Sequence, residues 1–235
     1  MPVFATPPPV GPDHESEKRH ESERTVPVSR IEAGGTLAQG LDATDAPIRQ
    51  GGFHLGGAYR IAEDFVLMGR YSFSSGHVVE RLPGNRLGEF GVPNDVDVLE
   101  SRHVFDLGFG YVLHTEGPIR LFGVPFLGPR IPVLKNDVAP RWAFEAEFGA
   151  RAGVFASDSF EASAMIAYAP ALAKAKGLAD VYGPILGELR FGANTAVRSG
   201  GPFFLTLGYE GDVLVLSHQK VTAHGLSAGL AYSFE

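Results

Sequence analysis

From residue 29 to the C-terminus, large apolar side chains return at every second position, and this period constrains the fold more than any other feature of the chain. Successive side chains of an extended backbone point to opposite faces, so period two marks strands with two unlike faces; an amphipathic helix needs a period of about 3.6. Over residues 50–62 one face carries Phe53, Leu55, Gly57, Tyr59 and Ile61, and the other His54, Gly56, Ala58 and Arg60. Over 142–155 the split is nearly complete, with Trp142, Phe144, Ala146, Phe148, Ala150, Ala152 and Val154 against Ala143, Glu145, Glu147, Gly149, Arg151 and Gly153. The same alternation holds over 65–75, 102–114, 160–172, 185–197, 203–213 and 225–234, and more weakly over 29–41. Residues 119–134 break it: Phe122, Val124 and Phe126 fall on the face that should be polar, and Pro125, Pro129 and Pro132 interrupt any ladder of hydrogen bonds. Counting that segment as a strand keeps the number even and puts both chain ends on one side. The reading is an all-β chain of about ten strands.

The connections alternate in length. Residues 62–64, 114–118, 156–158 and 198–201 are tight, while 42–49, 76–100, 135–140 and 173–183 are longer; the last of this second set, 218–220, is short. Tight turns on one side and long loops on the other are the asymmetry of a closed, antiparallel, up-and-down transmembrane barrel. Residues 1–27 read differently, as a flexible Pro-rich and charged periplasmic tether, with the barrel at 28–235. His14 and His20 in that stretch have no second ligand pair at metal-binding spacing. No apolar leader follows Met1, so the expectation is a mature chain whose signal peptide has been removed.

Period two alone does not separate a membrane barrel from a soluble ligand-carrying barrel, in which the greasy face points inward. The polar face decides. A water-exposed face should be dense in Lys, Glu and Thr, yet here it is mostly Gly, Ala and Ser with few charges, and all five Lys are expected outside the strands. The charges it does carry have both signs: Arg30, Arg60, Arg70, Arg102, Arg120, Arg151 and Arg190 against Glu32, Asp106, Glu145, Glu147, Glu161, Glu188, Glu210 and Asp212. Buried unpaired, each would cost several kcal/mol, so the expectation is a network of ion pairs filling the lumen. Following the strands up and down sorts the outward aromatics into two interfacial belts. Tyr59, Phe65, Tyr111, Phe160, Phe203, Tyr232 and Phe234 gather at the tight-turn end, and Trp142, Tyr168 and Tyr209 toward the long loops; Tyr71 fits neither.

Residues 225–234 (GLSAGLAYSF), alternating large residues with an aromatic at the end, resemble the closing strand of small bacterial outer-membrane barrels. In that family the last residue is usually the aromatic itself, whereas here Glu235 follows Phe234. The resemblance implies the bacterial outer membrane as location and its lipid as partner.

Composition removes some functions. A net charge of -7 with no basic cluster excludes nucleic acid as a partner. Absence of Cys excludes a thiolate metal site and a disulfide framework. Four readings remain. The first is a structural or surface-interaction protein, without cofactor or metal, that meets an extracellular or periplasmic protein through its long loops, foremost 76–100. The second is a narrow pore biased toward anions by Arg60, Arg70, Arg151 and Arg190. The third is an outer-membrane hydrolase, for which His54, His103, His114 and His224 lack a Ser and an acid at triad spacing. The fourth is the soluble carrier. Asp95, Asp97 and Glu100 match no calcium loop of defined ligand order.

Overall fold

The computed structural model describes residues 29–41, 47–62, 64–81, 95–115, 119–135, 141–174, 185–216 and 220–234. Every regular element among them is a strand: β1 (Ser29–Leu41), β2 (Pro47–Ala62), β3 (Phe65–Arg81), β4 (Asp95–Tyr111), β5 (Leu113–His114), β6 (Arg120–Lys135), β7 (Arg141–Ser157), β8 (Phe160–Lys174), β9 (Ile185–Gly200), β10 (Phe203–Leu216) and β11 (Lys220–Phe234). β5 continues β4 past Val112, so the elements form ten staves. Each pairs antiparallel with its sequence neighbours, β4 with β6, and β1 with β11 from Ser29↔Phe234 to Leu41↔Thr222. Among the described residues the sheet closes on itself and leaves no edge strand for another chain to extend.

Residues 119–134 do form a stave, β6, and its departure from the pattern has a physical reason. Phe122, Val124, Pro132 and Leu134 point into the lumen and are buried. Two of the rings find room because their partners across the sheet are glycines, in the pairs Phe122↔Gly153 and Phe126↔Gly149. A Cβ on Gly153 would stand 2.5 Å from the Phe122 ring, and one on Gly149 2.8 Å from the Phe126 ring. Pro125 and Pro129 face outward, where a missing N–H is tolerated at interruptions of the ladder: β4 and β6 are bridged at Asp106↔Arg130 and Phe109↔Leu127, with no bridge between.

Two boundaries differ from the sequence reading. Residues 76–100 are not one loop: β3 and β4 stay paired from Gly76↔Glu100 to Arg81↔Asp95. Lys135, Lys174 and Lys220 are strand residues, each at the loop end of its stave. The turn between β9 and β10 carries two backbone positions that favour glycine, Gly200 (φ 152°) and Gly201 (φ 54°).

The lumen is layered. Val66, Val112, Phe122 and Val124, with Ala58, Met68 and Phe155 against them, fill the tight-turn end on one side, and Ala196, Phe204 and Ala231 on the other. Leu134, Ala143, Ile185 and Leu214 fill the loop end. Acidic and basic side chains occupy the middle.

Candidate functional site: the lumen and the outer face

Alternation places the large apolar residues outside. Phe53, Phe144 and Leu207 are 44%, 39% and 64% exposed, while Glu145 and Glu188 are 0% exposed. A soluble carrier requires the reverse, and that reading is withdrawn.

The buried charges converge from five staves into one layer. Arg130 on β6 contacts Asp106 on β4, Glu145 on β7 (3.3 Å) and Glu188 on β9 (2.7 Å). Arg102 on β4 crosses the lumen to Glu188 and to Asp212 on β10, each at 2.6 Å. Arg190 on β9 reaches Glu147 at 2.6 Å and Asp106 at 3.4 Å. Asp106, Glu147, Glu188 and Asp212 give up hydration, and charge-assisted hydrogen bonds from the guanidiniums offset that loss, whereas Glu145 is held by its ion pair with Arg130 alone. Toward the tight turns Arg70 pairs with Glu210 (2.7 Å), and Glu161 binds both Arg30 and Arg151 (2.9 Å each). Glu32 accepts from Thr206 (2.8 Å) and lies 3.4 Å from His54 Nε2.

Of the lumen charges expected from sequence, two stand at the tight-turn rim instead. Arg60 donates from Nε to the Ala62 carbonyl, and Arg120 pairs with Asp158, which is 75% exposed. The anion bias expected of Arg70, Arg151 and Arg190 is neutralised, since each has a carboxylate partner. The central residue, Arg130, was absent from the sequence-derived set. The available signal was its parity: it shares a face with Arg120, which the set did include, but the apolar Phe122, Val124 and Phe126 between them break the polar pattern of that face.

Two cavities, of about 220 and 110 Å³, flank the Arg70–Glu210 pair. Arg70, Arg190 and Glu210 line both.

Outside, the tight-turn aromatics touch in series: Tyr59 with Phe234, Phe234 with Tyr232, Tyr232 with Phe203, and Phe65 with Tyr111. Phe160 is exposed on β8. Toward the loops Tyr168 packs on Phe148 and Tyr209 on Phe191, and Trp142 is exposed on β7. Tyr71 has an explanation that sequence alone does not provide. It stands as far from the start of β3 as Tyr209 does from the start of β10, and its hydroxyl lies 2.9 Å from His103 Nδ1 on the same outer face. The histidines are scattered: His54 faces the lumen and His103 and His224 face outward. Among the described residues no group of three or more His, Cys, Asp or Glu is arranged to hold a metal ion. Residues 1–27, expected from the sequence to be a tether, with His14 and His20, and the side chains of Asp95 and Asp97 lie outside the described residues.

Solved structures share this architecture. The translocator domain of the autotransporter NalP from Neisseria meningitidis superposes with a TM-score of 0.51 at 12% identity, covering 94% of this chain and 96% of that one. The β domain of the Bordetella autotransporter BrkA gives 0.51 at 12% identity, with 88% and 100% covered. The transport unit of AIDA-I from Escherichia coli gives 0.50 at 12%, with 88% and 91% covered. The fold is that of the bacterial outer-membrane β-barrels. Identity this low carries the outer-membrane barrel architecture and nothing about what the barrel does. No protein-family model and no curated protein matches the sequence.

Proposed function

We propose that the chain is an outer-membrane barrel of a Gram-negative bacterium whose lumen is sealed. It serves as a rigid mount for its extracellular loops, through which it meets a protein partner. The observation that carries this reading is the layer of ion pairs between β4, β6, β7, β9 and β10, capped at both ends by apolar side chains. An ion crossing that layer would have to displace guanidinium–carboxylate contacts of 2.6–2.7 Å. On this reading the protein is a scaffold and not an enzyme: Glu32, the acid beside His54, already accepts the hydroxyl of Thr206. Planar-bilayer recording tests the seal. The purified barrel is expected to insert without discrete conductance steps; reproducible single-channel steps would overturn it. The narrow-pore reading draws on the two cavities, which meet at Arg70, Arg190 and Glu210, and the same recordings decide between the two.

A further inference from the structure

The larger of the two lumen cavities, about 220 Å³, is a chamber to whose wall all ten staves contribute. Toward the loops that wall includes Asp106, Glu147 and Arg190 of the ion-pair layer. Toward the tight turns it includes Ala58 and Met68, which pack against the apolar cap. Small inward residues keep the space open. A Cβ at Gly56 would meet nothing nearer than 3.4 Å and one at Gly108 nothing nearer than 3.5 Å, so packing demands glycine at neither position. Gly149 is the opposite case, since a Cβ there would stand 2.5 Å from the Ile166 carbonyl oxygen.

Four arginines and four carboxylates line the chamber, and their charges cancel. Several point inward and yet are not packed over: Glu210 keeps 41% of its side-chain surface accessible, Arg151 35%, and Arg70 and Glu32 23% each. Groups of both signs therefore front the open space, and Met68, Phe126 and Met165 add apolar surface beside them. The smaller cavity meets the chamber at Arg70, Arg190 and Glu210 and runs on past Thr36, Ala38 and Gln50, toward the loop ends of β1 and β2.

We propose that the chamber binds a small amphiphilic zwitterion of the kind and size of an apolar α-amino acid, which enters from the loop side. Its ammonium pairs with Glu210 and Glu32, its carboxylate with Arg70 and Arg151, and its side chain lies against Met68, Phe126 and Met165. A ligand of one charge would bring net charge into a wall whose own charges cancel, which is costly away from bulk water. By the ratio of benzene to the cavity of about 150 Å³ that admits it, about 220 Å³ takes about nine non-hydrogen atoms, the size of leucine. Binding goes beyond the scaffold role and leaves the seal intact, because the cap at the tight-turn end stays closed.

Isothermal titration calorimetry on the folded barrel in detergent micelles, with empty micelles as the blank, tests the proposal. The probes are L-leucine, 4-methylpentanoate, which lacks the ammonium, and 3-methylbutylamine, which lacks the carboxylate. The wild type is expected to bind leucine about tenfold or more tightly than either, the loss of one charge-assisted contact. Glu210→Gln is expected to weaken leucine about tenfold and to leave 4-methylpentanoate no weaker, because that probe has no ammonium to lose a partner. Gly108→Leu, which fills the chamber from β4, should abolish leucine binding, and Ile61→Ala on the outer face should leave it unchanged. Migration of unboiled protein on a gel verifies that each variant is folded. No heat above the blank, equal affinity for the three probes, or undiminished leucine binding by folded Gly108→Leu overturns the proposal. The wild-type comparison stands even if a variant fails to fold. Conductance steps in a bilayer would defeat the seal alone; the order of the three affinities is read independently.

Discussion

Arg130 shows how much one side chain carries. It is 2% exposed and is the only cation touching Glu145 in the ion pairs of the described residues. Truncating one partner of a buried pair strands the other charges without compensation. Arg130→Ala is therefore expected to destabilise the barrel by about 3–5 kcal/mol. Urea unfolding checks it through the fluorescence of Trp142, the single tryptophan. Arg120→Ala is the contrast: its partner Asp158 is largely in solvent, so the loss should stay below about 1 kcal/mol. Equal shifts for the two variants would show that the central layer is not what holds the lumen together. Apart from Arg130 the charges of this layer were legible from alternation and balance of sign. Who pairs with whom was not, because Arg102 on β4 and Asp212 on β10 meet across the bore and no local spacing relates them.

At the scale of the element, β6 is the seam. It closes β5 and β4 onto β7, and its two faces are both apolar because its inward residues plug the ends of the lumen while its outward ones meet the surroundings. Gly128 sits where the ladder to β4 is interrupted, and a Cβ there would stand 1.8 Å from the Leu107 carbonyl oxygen. That obstacle is backbone and does not rotate away. Gly128→Ala is expected to prevent closure of β4 on β6, read as loss of the fast-migrating folded band on an unboiled gel. A normal folded band would mean that β6 shifts to accept the methyl. The β3–β4 hairpin teaches the complementary lesson. Its Gly76 and scattered charges resembled a loop, but the backbone ladder continues from Gly76↔Glu100 to Arg81↔Asp95.

For the molecule as a whole, the exterior and interior have exchanged the roles they hold in a water-soluble protein. Leu207 lies on the outer face of β10 between Phe203 and Tyr209, where acyl chains around the barrel would leave no water to solvate a charge. Leu207→Arg should cost about 2–4 kcal/mol in lipid vesicles if the position lies near the bilayer midplane. The check is unfolding from lipid vesicles; a variant as stable as the wild type would argue that this face does not meet acyl chains.

The sequence by itself determined that the chain is built of strands, that nearly all have one greasy and one small or charged face, and that the carboxylates of Glu145, Glu147, Glu188 and Glu210 lie on the inner one. Those properties follow from period two, which is local and survives any arrangement of strands. Only the tertiary structure decided which ions meet, why β6 is apolar on both sides, and that all ten staves share the wall of one chamber. Closure and register bring together residues far apart in the chain, and a pattern with a reach of two residues holds no record of the stagger between staves.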